Sequence, residues 1–155
     1  MSRRERRWDT INAMEVSDVR RRIRAAIDEA RLRAAERRTR TDDASRAYDQ
    51  VLETVAVPAF HEVANALVGE GYRFKVITPG RAVRLSPERT PEDFIELSLD
   101  TDRDAPAVVV VTSRGRGRRM VSAERILREG SGIAELKEDD VVAAVLGELT
   151  PFIER

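Results

Sequence analysis

Residues 108–120 read VVVVTSRGRGRRM, four valines running into a knot of glycine and arginine. Whether that knot is a phosphate-binding loop, an RNA-binding tract or the turn of a β-hairpin decides the fold around it. Gly115 and Gly117 match the start of the dinucleotide fingerprint G-x-G-x-x-G and follow a valine-rich strand. The third glycine position is Met120, and residues 118–121 have the character of a strand rather than of a helix start. Without a helix N-terminus there is neither a dipole nor a row of free amides to hold a pyrophosphate. The phosphate cradle G-x-x-x-x-G-K-[ST] is missing as well, and an RNA-binding tract would need repetition where this is a single copy. Between two β-prone runs, Arg-Gly-Arg-Gly suits a tight hairpin: glycine supplies a positive φ and arginine keeps the tip soluble.

A hairpin at this point predicts a meander. The four valines before it do not alternate with polar residues, so that strand is expected to be central and covered on both faces. Further upstream Tyr72, Phe74 and Val76 alternate with Arg73 and Lys75; Val83 and Leu85 with Arg84; Ile95, Leu97 and Leu99 with Glu96 and Ser98. Pro79-Gly80 makes the first turn, and Met120 and Val121 complete a further strand after the arginine knot. The links are too short for parallel crossovers, which makes the pairing antiparallel. Arg84 is then expected opposite Glu96 on the outer sheet face.

Both ends of the chain read as helical. Ser17 caps a helix in which Val19, Ile23, Ala26, Ile27, Ala30 and Ala34 recur at helical spacing. That narrow, alanine-rich stripe suits close packing on another helix. Residues 31–40 fade into a polar end, and Thr41-Asp42-Asp43 offers a second cap. The helix that follows, to about residue 69, has a wide apolar face that includes Tyr48, Leu52, Val55, Phe60, Val63 and Leu67. Pro58 should kink or break it, and Gly69-Glu70-Gly71 should end it. Residues 122–130 suit a short capped helix. A final helix starts at about Glu138, with three acids against its dipole, and is bent or ended by Pro151. The class is α+β: a basic arm over residues 1–14 with no sustained apolar period, compatible with disorder, a helical hairpin over 15–70, a meander of about five strands over 72–121, and C-terminal helices over 122–155.

Composition narrows the function classes. With 155 residues the chain makes about one domain. It has no cysteine, which removes thiol catalysis, thiolate metal sites and disulfides together. Its single histidine, His61, excludes a His-based metal cluster, and no orienting partner stands four residues away on its helix. Asp100-Thr-Asp-Arg-Asp104 opens like a calcium loop, yet Ala105 and Val111 occupy the positions of the required glycine and the closing glutamate. No cofactor or metal is expected. No apolar stretch approaches a membrane span and no signal-peptide core follows the first residues, so a cytoplasmic protein without membrane contact is the default.

Net charge is zero but unevenly spread: residues 1–46 carry 14 basic against 9 acidic side chains. Only Lys75 and Lys137 among the 28 basic residues are lysine, a bias of bacterial type that reflects genomic base composition more than guanidinium chemistry. Arg20, Arg21 and Arg24 on the first helix, and Arg114, Arg116, Arg118 and Arg119 on the hairpin, are candidate anion- or partner-binding residues. Base-stacking aromatics are missing around them apart from Trp8, and no helix-turn-helix, zinc-finger or RNP pattern is present.

The two helices have unequal apolar faces, the second wider than the first can cover. This points to a non-enzymatic interaction or adaptor protein that self-associates as a homo-oligomer, or binds a protein partner, through residues 15–70. Tyr48, Leu52, Val55, Phe60, Val63 and Leu67 are the candidate interface. The alternative is a nucleic-acid-binding accessory protein using the basic arm and arginine hairpin, which is less favoured. An enzyme without a recognisable motif is third.

Overall fold

The computed structural model describes the backbone of residues 3–154 and the side chains of residues 15–154. The chain divides into two compact units, Met1–Thr39 and Arg40–Arg155. Its elements are helix α1 (Arg3–Val51), a π-helical turn (Leu52–Ala56), α2 (Val57–Gly69), strands β1 (Phe74–Ile77), β2 (Val83–Pro87), β3 (Phe94–Asp100), β4 (Ala107–Arg116) and β5 (Arg119–Glu129), a 3-10 turn (Gly130–Glu135) and α3 (Glu138–Ile153). The class is α+β, as the alternating patterns require.

The expected hairpin of two N-terminal helices is corrected to one long helix. Residues 31–40 hold neither glycine nor proline and are mostly Arg, Ala, Glu and Leu, all good helix formers. A cap sequence such as Thr41-Asp42-Asp43 cannot start a new helix where nothing stops the old one. The basic arm is also helical in its backbone from Arg3 onward; the side chains of residues 1–14, Trp8 included, lie outside the described residues. Pro58 acts at a distance of a few residues. It cannot donate a backbone hydrogen bond and crowds the preceding turn, and the helix widens into the π turn just before it, so that Pro58 falls in the first turn of α2.

Gly71, with φ of +91°, ends α2 in a Schellman arrangement. The Gly71 amide donates to the Val68 carbonyl at 3.0 Å and that of Tyr72 to the Leu67 carbonyl at 2.8 Å. The five strands then pair in sequence order, all antiparallel. Arg84 faces Glu96 across β2 and β3, as expected, at 2.6 Å. The same guanidinium lies 3.8 Å from the centre of the Phe94 ring.

Residues 122–129 continue a strand, not the short helix expected over 122–130, and Gly130 opens the 3-10 turn. β4 runs ten residues, and its hairpin partner pairs with it along its whole length, with a bulge at Val108/Val109. Ladder hydrogen bonds to β4, which would otherwise be the open edge of the sheet, outweigh the weak helical preference of Ala-Glu-Arg-Ile-Leu-Arg. Helical structure therefore resumes only at the 3-10 turn. α3 opens at the acids Glu138–Asp140, and the Lys137 amide donates to Asp140 Oδ2 at 3.0 Å.

One core fills the Arg40–Arg155 unit. Val83, Leu85, Ile95, Leu97, Val108 and Val110 on one sheet face pack with Phe60 and Val63 of α2 and with Val141 and Val145 of α3. Tyr48, fully buried, donates its hydroxyl to the Arg81 carbonyl at 2.6 Å and ties the end of α1 to the β1–β2 turn. Residues 15–69 include a stretch apolar and long enough to meet a composition test for a membrane span, against the expectation that none would. A core helix meets the same test, and Ala56, Ala59, Phe60, Ala64 and Leu67 are core residues.

Candidate interaction surfaces

The six residues expected at an inter-chain interface are occupied by the chain itself. Tyr48, Phe60, Val63 and Leu67 are buried, and Leu52 and Val55 pack half-buried against the same core. The physical reason is simple. The inner sheet face and α3 are apolar enough to cover the wide face of the second helix, so little of it is left over.

A row of uncovered apolar side chains lies instead on the first part of α1. Val16, Val19, Ile23 and Ile27 keep 52%, 51%, 51% and 44% of their surface exposed. Their spacing of three, four and four residues keeps them on one face, and Ala30 and Ala34 continue it eleven residues after Val19 and Ile23. An eleven-residue period, at 3.67 residues per turn, follows a nearly straight helix closely. From Val16 to Ile27 the stripe is about 16 Å long at 1.5 Å per residue. Arg20 and Arg24 stand exposed beside it, Arg21 is exposed on the opposite side of the helix, and none of the three enters an ion pair among the described residues. Arg22 does, with Asp18 at 3.0 Å.

The glycine–arginine knot is a β-hairpin. Arg116 pairs with Arg119 around a two-residue turn, and Gly117 takes φ of +66° at its first central position, where glycine is favoured. Gly115 has a different role. Its amide donates to Asp93 Oδ1 at 2.7 Å, and Asp93 is almost completely buried. An amide already held by a carboxylate is not offered to a phosphate. Arg116, Arg118 and Arg119 are exposed, whereas Arg114 is half-buried. Arg114 and Arg116 border a depression shared with Pro151 and Glu154 at the end of α3, where cations offset the negative end of a helix dipole. No ion pair among the described residues involves any of the four arginines.

Sequence reasoning missed Asp93, and its only signal was an acid beside the strand start at Phe94 in a chain full of acids. It also missed the meeting of Glu62 on α2 with Glu138 at the start of α3. The Glu138 carboxyl is held above its ordinary range, first by hydrogen bonding to Glu62 and then by that neighbour's charge. A further cleft of about 530 Å3 brings Arg73, Glu88 and Arg89 to the neighbourhood of Asp93. The first three are exposed, and the cleft contains neither His61 nor an arginine of the hairpin. His61 is exposed on α2. Asp100 is used locally, accepting the Asp102 amide at 3.0 Å and Arg103 Nε at 2.8 Å, so the acidic loop is braced by its own residues. Among the described residues no group of three or more His, Asp or Glu side chains is placed to hold a metal ion. Comparison with protein-family models, with curated proteins and with solved structures finds no match to this chain.

Proposed function

We propose that this chain is a non-enzymatic interaction module that self-associates through the apolar stripe of α1. The observation that carries the proposal is the half-exposed row Val16, Val19, Ile23 and Ile27 on a helix bordered by arginine. Burying an aliphatic side chain fully is worth about 1.5–3 kcal/mol, so covering the exposed half of each contributes about 1 kcal/mol. Four such residues on each of two chains give about 8 kcal/mol per pair, against an association cost of about 4–15 kcal/mol. The expected complex is therefore weak to moderate and reversible. Light-scattering mass over a rising concentration series should climb above the monomer, and Val19→Asp with Ile23→Asp should return it to the monomer. A wild-type chain that stays monomeric throughout defeats the proposal.

A second reading is favoured by one observation, the arginines of the hairpin without an ion-pair partner among the described residues. Four guanidiniums at one tip suit a phosphate backbone. Binding of nucleic acid should then weaken linearly in log salt, with a shallower slope once Arg114, Arg116, Arg118 and Arg119 are alanine. Absence of binding at low salt removes this reading.

A further inference from the structure

A groove of about 320 Å3 runs between α2 and α3. Its floor is Val63, Leu67 and Leu149, its wall is Leu146, and Glu62 and Glu70 form the rim. The floor residues are buried at the bottom, but Leu146 remains 51% exposed. The groove is therefore apolar inside and acidic around the edge. No ion pair among the described residues involves Glu62 or Glu70, whereas Glu148 pairs with Arg125 and Asp140 with Arg128.

The α1 stripe has the complementary properties. It presents aliphatic side chains at helical spacing, and Arg20 and Arg24 flank its Ile23 side as exposed cations without ion-pair partners among the described residues. An amphipathic helix placed against an apolar groove is a recurring recognition mode, read by side chains three and four residues apart. Opposite charges on the two rims set the register and speed the encounter, and repel an unmatched partner. A groove edged by Glu62 and Glu70 disfavours a second such groove, and a stripe edged by Arg20 and Arg24 disfavours a second such stripe.

From this complementarity we infer that the α2–α3 groove is the receptor for the α1 stripe of a second copy of the chain, with Ile23 and its neighbours seated over Leu146 and the arginines meeting Glu62 and Glu70. The inference rests on the proposed self-association and specifies which surface receives the stripe. Each copy carries both halves, so two copies engage reciprocally or in a chain, depending on whether the contacts close.

Two deficient variants test the pairing. Ile23→Asp spoils the stripe and keeps the groove; Leu146→Asp spoils the groove and keeps the stripe. Each should weaken self-association at least tenfold when measured alone by sedimentation velocity. An equimolar mixture should regain a heterodimer, because one intact stripe still finds one intact groove. If Leu146→Asp associates as well as wild type, stripe meets stripe and the inference falls while the proposed self-association stands. If Ile23→Asp associates as well as wild type, both fall. Loss in both variants without recovery on mixing also overturns the inference. Glu62→Lys with Glu70→Lys changes only exposed residues and guards against misfolding of Leu146→Asp. It should weaken association tenfold or more, and Arg20→Glu with Arg24→Glu supplied on the other chain should restore it. No weakening, or no restoration, counts against the groove.

Discussion

Replacing Tyr48 separates a core residue from an interface residue. The ring is fully buried in the core and its hydroxyl donates to the Arg81 carbonyl at 2.6 Å. Tyr48→Phe keeps the ring and leaves that carbonyl without its partner. Stranding a buried acceptor costs about 1–3 kcal/mol, and the value should lie near 1 kcal/mol because Arg81 is exposed and water can reach its carbonyl. Tyr48→Ala adds the loss of a large core side chain, about 3–5 kcal/mol, against a total stability of about 5–15 kcal/mol for a domain.

The pH dependence gives a second, independent readout. Burial raises the Tyr48 hydroxyl well above its ordinary ionisation range, opposed by the Arg81 charge and assisted by Glu96 and Asp49. The folded chain thus keeps a proton that the unfolded chain releases near pH 10. Its stabilising contribution is complete below that pH and is lost as the pH rises towards the folded value, by about 1.4 kcal/mol per unit. Tyr48→Phe has no such proton. Urea unfolding at neutral pH should show the variant about 1 kcal/mol less stable. At about pH 11 the difference should shrink to zero or reverse. A variant as stable as wild type at neutral pH, with altered association instead, would refute the core assignment.

Four further substitutions test local reasoning. Gly117→Ala places a Cβ at a positive φ and should cost about 1–2 kcal/mol, whereas Gly115→Ala meets only Asp93 Oδ1 at 3.7 Å and Met120 sulfur at 3.8 Å and should change stability by under about 0.5 kcal/mol in urea melts. Asp93→Ala removes the carboxyl oxygen that accepts the Gly115 amide and should cost about 1–3 kcal/mol by the same assay. Glu62→Gln removes the neighbour that raises the Glu138 carboxyl. In wild type the folded state binds that proton more tightly than the unfolded state, so stability rises as pH falls through the raised value. Thermal melts should therefore show the variant more stable at neutral pH, with the gap closing on acidification; a gap that widens in acid contradicts the pairing.

The alternating strands were legible because period-two patterns survive any tertiary context that leaves one face wet. The Arg84–Glu96 pair followed from register alone, and the role of Gly117 from turn chemistry. The continuous α1 was not legible, since a good capping sequence at residues 41–43 looks the same whether it starts a helix or lies within one. β5 was hidden for another reason: its residues are indifferent to helix or strand, and the choice was made by a partner strand. The exposed stripe was visible as a stripe, but whether its own chain covers it depends on how much apolar surface the sheet and α3 already consume. Asp93 and the Glu62–Glu138 approach join residues more than twenty positions apart, and no local pattern signals such meetings.

Self-association through α1 is tested most directly by sedimentation velocity of the full chain beside its Val19→Asp, Ile23→Asp variant, from low micromolar to sub-millimolar concentration. A wild-type coefficient that rises with concentration, with a variant that stays at the monomer value and melts like wild type, is the predicted result. Identical concentration dependence in the two proteins would contradict it.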